Sequence, residues 1–368
     1  MKKVLCVLLS LILLLSLIPA AFAGEPVELY DLYSLYDELF NCCMNGDTEI
    51  TINVLPECRK GISNDELWEG LWSVFIEAFS INYKITYSEL NNGTLRVNGS
   101  NAHLRDGIRM YYAYIGYSEA KLSSDEKKAL SIVKSAVDKM LEKHEYGSIA
   151  LETAIYDYIC DHLEYNWKED DPRYYSTTYG ILHGQGCCQV YADLFYLMSA
   201  MAGFYPQYVC GKANNGSHLW NTIGVGDKNM MVDVTFGDMG NGYPPNHYYM
   251  NFGLDRRGNR TWSKYVFPYS FAQKTSDDHS FYCNQSSNTG YVAKDLKDAA
   301  EFIVWKAQRG EKTAEILIKG KTFSDKSIHN AIYQALKTKR VSSKNKDWQL
   351  WNMQKDGNTV IVLRWTKF

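Results

Sequence analysis

Three features of this 368-residue chain predict an α+β fold. Apolar residues recur at helical spacing in three segments between 123 and 203, whereas 207–235 is strand-like. Helices first and strands second suit α+β, not alternating parallel-sheet folds. Two further segments, one on each side of this middle region, repeat the order strand, helix, hairpin.

In the first flank, Thr48-Glu-Ile-Thr-Ile-Asn-Val54 alternates as a half-buried strand does. Ser63-Asn-Asp-Glu66 reads as a capping box for a helix with Leu67, Leu71, Val74, Phe75, Ala78 and Phe79 on one face. A hairpin follows, with strands at Tyr83–Leu90 and Thr94–Val97 around a turn at Asn92-Gly93. In the second flank Glu315-Ile-Leu-Ile318 matches Glu49-Ile-Thr-Ile52. Ser324 opens a helix with Ile328, Ile332, Ala335 and Leu336, and Asp356-Gly357 turns a hairpin between 348–353 and 359–365. Helix-like segments at 27–44 and 297–309 precede the two copies. The order is that of a weak internal repeat, against which stands chance likeness between two small α/β units.

In the middle, Ser123-Ser-Asp-Glu126 caps a helix carrying Ala129, Ile132, Val133, Ala136, Val137, Met140 and Leu141. A second helix runs from Ser148 through Leu151, Ile155, Ile159 and Leu163. The third starts at Cys188, with Tyr191, Leu194, Phe195, Met198 and Met201 on one side and Gly203 as its stop. Strand-like stretches at 207–211, 218–225 and 229–235 complete the region. The domain boundaries that follow are 1–23 (leader), 24–120 (N-terminal α/β domain), 121–270 (central domain), 271–296 (linker) and 297–368 (C-terminal α/β domain).

Lys2-Lys3, the apolar run Val4–Leu17 and Ala21-Phe22-Ala23 make a secretory signal with a cleavage site. No second long apolar run follows, so a secreted protein is expected, with no stable membrane insertion after cleavage and possible contact with a cell wall. Cleavage removes two of the 39 basic residues and none of the 42 acidic ones, a mild negative balance that gives no reason to invoke nucleic acid. The basic run Lys319–Lys346 reads as solvated surface before it reads as a contact to anionic polymer. Eight of nine cysteines remain after processing, without the spacing of a disulfide framework. The absence of Cys-x-x-Cys speaks against structural zinc.

The chemistry lies in Gly184-Gln-Gly-Cys-Cys-Gln-Val-Tyr-Ala-Asp193, His218-Leu-Trp-Asn221 and Val232-Asp-Val-Thr-Phe-Gly-Asp238. A thiol, an imidazole and a carboxylate are the parts of an acyl-transfer site. A thiol attacks usefully only as thiolate, and a helix start beside an imidazolium favours that form. The first backbone N–H groups of such a helix can also steady an oxyanion. A two-residue turn at Gly226-Asp227 would set His218 opposite Thr235 and put Asp233 diagonally across, within reach of the ring. Helical phase does not choose between Cys187 and Cys188, His183 and His247 are rival bases, and Asp233 could simply cap a turn. A metal site built from His183, Cys187 and Cys188 is a remote alternative.

Together with Thr178-Tyr-Gly-Ile-Leu182, Asp157-Tyr158 and Glu164-Tyr-Asn166, these motifs resemble the bacterial transglutaminase-like superfamily over roughly 123–265. The resemblance implies a papain-related core, a cysteine helix packed on an antiparallel sheet that bears the His and Asp. It implies Cys188 as nucleophile, His218 as base and Asp233 as orienting acid, with no cofactor. Gln185, Tyr179 and Trp220 become candidates for oxyanion or supporting roles. Val190 replaces the family's usual Gly near the nucleophile, and Phe236 its usual Trp. The expected function is an exported cysteine hydrolase or acyltransferase acting on amide bonds of peptides, proteins or cell-wall peptides. The alternative is a surface protein that binds wall polymer and keeps the fold without the chemistry.

Overall fold

The computed structural model describes residues 27–29, 49–60, 63, 84–100, 104–117, 121–168, 170–225, 228–240, 243–253, 260–262, 280–283, 290–341, 348–355 and 357–365. The signal segment, the 64–79 helix and the turn at 226–227 lie outside the described residues. The chain divides into two compact units, Met1–Arg105 and Asp106–Phe368.

The first unit holds a four-stranded sheet of β1 (Val27–Leu29), β2 (Glu49–Val54), β3 (Lys84–Glu89) and β4 (Leu95–Ser100), in the order β1-β2-β4-β3. β1 runs parallel to β2, and the other pairs are antiparallel. Residues 27–29 are therefore a strand where the sequence suggested the start of a helix. Three residues pairing with a buried neighbour outweigh a helical pattern that has no cap of its own.

The second unit opens with helix Asp106–Tyr114, whose Tyr111 ring meets Tyr196 of the cysteine helix at 5.5 Å. This helix joins the core, not the accessory segment ending at 120. Helices Ser124–Leu141 and Ile149–His162 follow. The first has the expected reciprocal capping box between Ser123 and Glu126, and the second is capped by Ser148. Short strands β5 (Glu164–Tyr165) and β6 (Gln185–Gly186) pair in parallel around helix Thr177–His183. Helix Cys188–Met201 is apolar nearly all round and buried along its length, as a central helix must be. It lies against the antiparallel sheet β10-β7-β8-β9, built from β7 (Gln207–Ala213), β8 (Gly216–Val225), β9 (Lys228–Val232) and β10 (Thr261–Trp262).

The last part is a third four-stranded sheet: β11 (Gly290–Ala293), β12 (Thr313–Ile318), β13 (Trp348–Lys355) and β14 (Asn358–Trp365). Its order, β11-β12-β14-β13, repeats that of the first unit, again with one parallel pair. β11 falls within the stretch read as linker, because four residues flanked by polar sequence give little periodicity. Alternation along this sheet serves two cores. Ile316, Ile318, Ile361 and Leu363 face helices Leu296–Gln308 and Asp325–Thr338, whereas Leu317, Val360 and Val362 join the core around the cysteine helix.

Val190, the departure from the family's glycine, is accommodated by two glycines nearby. A Cβ on Gly180 would stand 2.4 Å from Val190 Cγ1, and one on Gly186 2.5 Å from Val190 Cβ. Absent methyls on two neighbours make room for an added side chain. Gly186→Ala is therefore expected to lower stability by about 1–3 kcal/mol through overpacking. Val190→Ala on the same background should return part of the loss, read from urea denaturation midpoints.

Candidate active site

Cys188 is the first residue of its helix, behind the N-cap Cys187, whose backbone N–H donates to Tyr174 O at 2.8 Å. The approach is made by Gly184, which ends the preceding helix in the left-handed region at φ 74°. That preceding helix is held at its start by Asp106, which accepts from Ser176 Oγ (2.7 Å), Thr177 N (3.1 Å) and Thr178 N (2.7 Å). Cys188 is partly exposed and Cys187 buried.

His218 sits in β8 opposite Gly211 of β7, and its Nε2–H donates to Asp233 Oδ2 at 3.0 Å. With Nε2 so engaged, Nδ1 is the nitrogen left to serve a thiol, and the charge of the Cys188 sulfur favours the protonated ring. Trp220, two residues along on the same face, stacks against the imidazole at 5.5 Å and 21°, and Phe236 meets it edge-on at 5.1 Å. The ring is thereby fixed in plane and azimuth.

The β8–β9 register is the one a two-residue turn gives, with Asn221 opposite Val232 and Val225 opposite Lys228. β9 nevertheless ends at Val232, so Thr235 does not face His218. Asp233 instead caps the short helix Val234–Gly237, accepting from Phe236 N at 3.2 Å through Oδ1 while Oδ2 serves the histidine. Capping and orienting, alternatives in the sequence, are combined in one carboxylate. Arg260 Nη2 is a second donor to Oδ2, at 2.8 Å. The Arg260 guanidinium lies over the rings of Phe236, Tyr249 and Phe252 at 4.5, 5.1 and 5.4 Å.

Electrostatics separate the two adjacent thiols. Cys188 is held well below the ordinary thiol range by the hydrogen bond from Cys187 and, against the effect of burial, by the His218 imidazolium and the Leu219 backbone. Cys187 is pushed up by the same hydrogen bond and by burial. Burial opposes the charge on His218, but Asp233 and the Cys188 sulfur more than offset it and raise the ring to about 10. Burial also opposes ionisation of Asp233, yet His218 and Arg260 hold it at about 2. These directions favour a thiolate beside an imidazolium, with a buried carboxylate behind the ring.

The supporting candidates fall in different surroundings. Gln185 lies in β6, and its Oε1 accepts from Asn166 Nδ2 at 3.5 Å. Tyr179 packs its ring against His183 and Tyr174 under Arg173. His183 is exposed on that same cluster. His247 is buried elsewhere, with Nδ1 2.7 Å from Glu315 Oε2 and Nε2 2.7 Å from Asp157 Oδ1. Sequence reasoning missed Arg260. A lone cation in a loop has no periodicity to mark it, and only its three aromatic neighbours identify its place. Among the described residues no group of three or more His, Cys, Asp or Glu is arranged to hold a metal ion.

A cysteine at a helix start, a histidine on an antiparallel sheet and an aspartate just past the end of that sheet's edge strand are set in an α+β fold. Residues 134–241 match the family model of the transglutaminase-like superfamily, to which this part of the chain is similar. No curated protein matches. Among solved structures, a candidate cysteine protease from Cytophaga hutchinsonii is 16% identical over 44% of this chain and 65% of its own, at a TM-score of 0.26. A structure described as a TGase is 13% identical over 60% of this chain and 61% of its own, at 0.29. The chain thus spans less than two thirds of each of these proteins.

Two outcomes are expected. Alkylation of Cys188 by iodoacetamide should stay nearly flat from about pH 6 to 9. In His218→Ala the profile should regain a rise displaced toward the value near 8.5 that a free thiol gives, with the Cys187 hydrogen bond still in place. His247, raised to about 10 against its burial by Asp157 and Glu315, should stabilise the fold fully below about pH 6.5, the ordinary histidine value. That contribution should be lost as pH climbs through about 10. Urea midpoints of the parent and His247→Gln should therefore converge with rising pH.

Proposed function

We propose that this protein is an exported thiol enzyme acting on amide bonds of peptides, proteins or cell-wall peptides. The observation that carries the reading is one constellation: a partly exposed Cys188 at a helix start, His218 whose charge favours its thiolate, and the buried Asp233 hydrogen-bonded to that ring. Export rests on the leader-like residues 1–23.

In the first half-reaction the Cys188 thiolate attacks the amide carbonyl carbon, and the π pair moves to oxygen. The backbone N–H of Cys188 and the amide of Gln185 are the donors proposed for that oxyanion. The intermediate collapses, the C–N bond breaks, and the departing amine takes the proton from His218. A thioester and neutral His218 remain. His218 then takes a proton from water as its oxygen attacks the thioester, and collapse returns the thiolate and releases a carboxylic acid. A primary amine in place of water would give transamidation. Hydrolysis is the preferred outcome, since no sequence feature marks an amine-binding pocket.

Asp233 keeps the imidazolium in orientation through both halves, and Arg260 keeps Asp233 ionised in a buried setting. Trp220 serves by fixing the ring plane. Tyr179 has the weakest claim to a role, because its ring packs in the Tyr174–His183 cluster.

The test pairs labelling with turnover. Cys188→Ala should abolish labelling at that position by an iodoacetamide probe at neutral pH and lower peptide cleavage by at least about 10³-fold, while Cys187→Ala, which removes only a donor to the thiolate, should weaken both far less. Undiminished labelling or cleavage in Cys188→Ala would remove the proposal. Added primary amine, followed by mass spectrometry of the products, distinguishes hydrolysis from transfer.

A further inference from the structure

Asp233 and Arg260 rest on one short stretch of chain, and that stretch is gripped from the C-terminal sheet. The Asp233 backbone N–H donates to Tyr249 O at 2.9 Å. Tyr156 OH bonds both Asn246 O (3.0 Å) and Asp233 O (3.4 Å). Met231 and Phe252 exchange backbone hydrogen bonds at 2.9 and 3.0 Å. The Tyr249 and Phe252 rings bear the Arg260 guanidinium. Residues 246–252 are therefore the wall against which the triad acid is set.

Three successive residues of that wall are held by the strands of the last sheet. Glu315 of β12 accepts from the His247 backbone N–H (2.9 Å), from His247 Nδ1 (2.7 Å) and from Tyr282 OH (2.6 Å). Asn358 Nδ2 of β14 donates to Tyr248 OH at 3.4 Å, and Met353 Sδ of β13 receives Tyr249 OH at 3.2 Å. The other ring nitrogen of His247 is held by Asp157 of helix Ile149–His162, with Phe281 stacked on the ring at 3.9 Å. Two carboxylates on the two ring nitrogens require both to carry hydrogen, so the ring is an imidazolium bridging core and C-terminal sheet. Glu152, one turn before Tyr156, is a further acid in the field of this ring. Burial raises it to about 7, against the Asn251 hydrogen bond and the His247 charge.

We infer that the C-terminal sheet is a positioning element of the active site, acting through Glu315 and His247 on the 246–252 wall and thence on Asp233. Glu315 is a positioning residue and touches no reacting group. The inference rests on the Cys188–His218–Asp233 reading above. A sheet that merely adds stability would need apolar contact alone, which Leu317, Val360 and Val362 already supply. Glu315 does something that apolar contact does not. It holds the backbone N–H of His247, two residues before Tyr249, and so fixes where the wall stands.

The test follows Cys188 alkylation by iodoacetamide in the full chain from about pH 3.5 to 9, with Cys188→Ala as the blank. In Glu315→Ala the midpoint of the profile should move up by about one pH unit, the mark of a thiolate less well supported by its imidazolium. Glu315→Gln still offers an oxygen to the His247 backbone and Tyr282, and its midpoint should stay within about 0.3 unit of the parent. Glu315→Asp, with its carboxylate drawn back by one methylene, should shift in the same direction as Ala and serves if Ala does not fold. Parent-like midpoints in the folded Ala and Asp variants, whatever their melting temperatures, would overturn the inference. A parent whose Cys188 titrates as an ordinary thiol would instead overturn the triad reading, and this inference with it.

Discussion

A fully buried carboxylate must be paired, and Asp233 is the group around which this site is arranged. Left alone in an apolar interior it would take up a proton and cease to orient anything. His218, Arg260 and the Phe236 backbone N–H supply three donors to its two oxygens. Arg260 is in turn buried, and the faces of Phe236, Tyr249 and Phe252 take the place of water around it. The aromatic neighbours are thus part of the electrostatics of the proposed triad.

The same constraint explains how two adjacent cysteines differ. Both cysteines stand at the start of one helix, yet it is Cys188 whose thiolate the His218 charge favours. One negative charge between two close sulfurs is favourable and a second is not, so ionising Cys188 drives Cys187 toward the thiol form. Cys187 then donates to the thiolate. Val190 sits in space left by Gly180 and Gly186, so the helix start that presents Cys188 accepts a residue larger than the family's glycine.

Much of the fold was legible because its segments obey simple periods. The capping box at Ser123, the cap at Ser148 and the apolar stripe after Cys188 each lie where their side chains demand. β11 was not legible, since four residues carry too little pattern to separate a strand from a loop. Arg260 was hidden for a related reason: its carboxylate partner lies 27 residues away in sequence, and its rings come from other elements. His247 looked like a rival base and instead bridges Asp157 and Glu315.

The sequence by itself determined the helices, most strands, the shared order of the flanking segments and the cysteine, histidine and aspartate motifs, because each is a local pattern of a few residues. Only the tertiary structure decided that β9 stops at Val232, that Asp233 both caps and orients, and that the last sheet shares the core of the cysteine helix. Those outcomes depend on desolvation and on which charges face one another across the interior, quantities that no stretch of neighbouring residues contains.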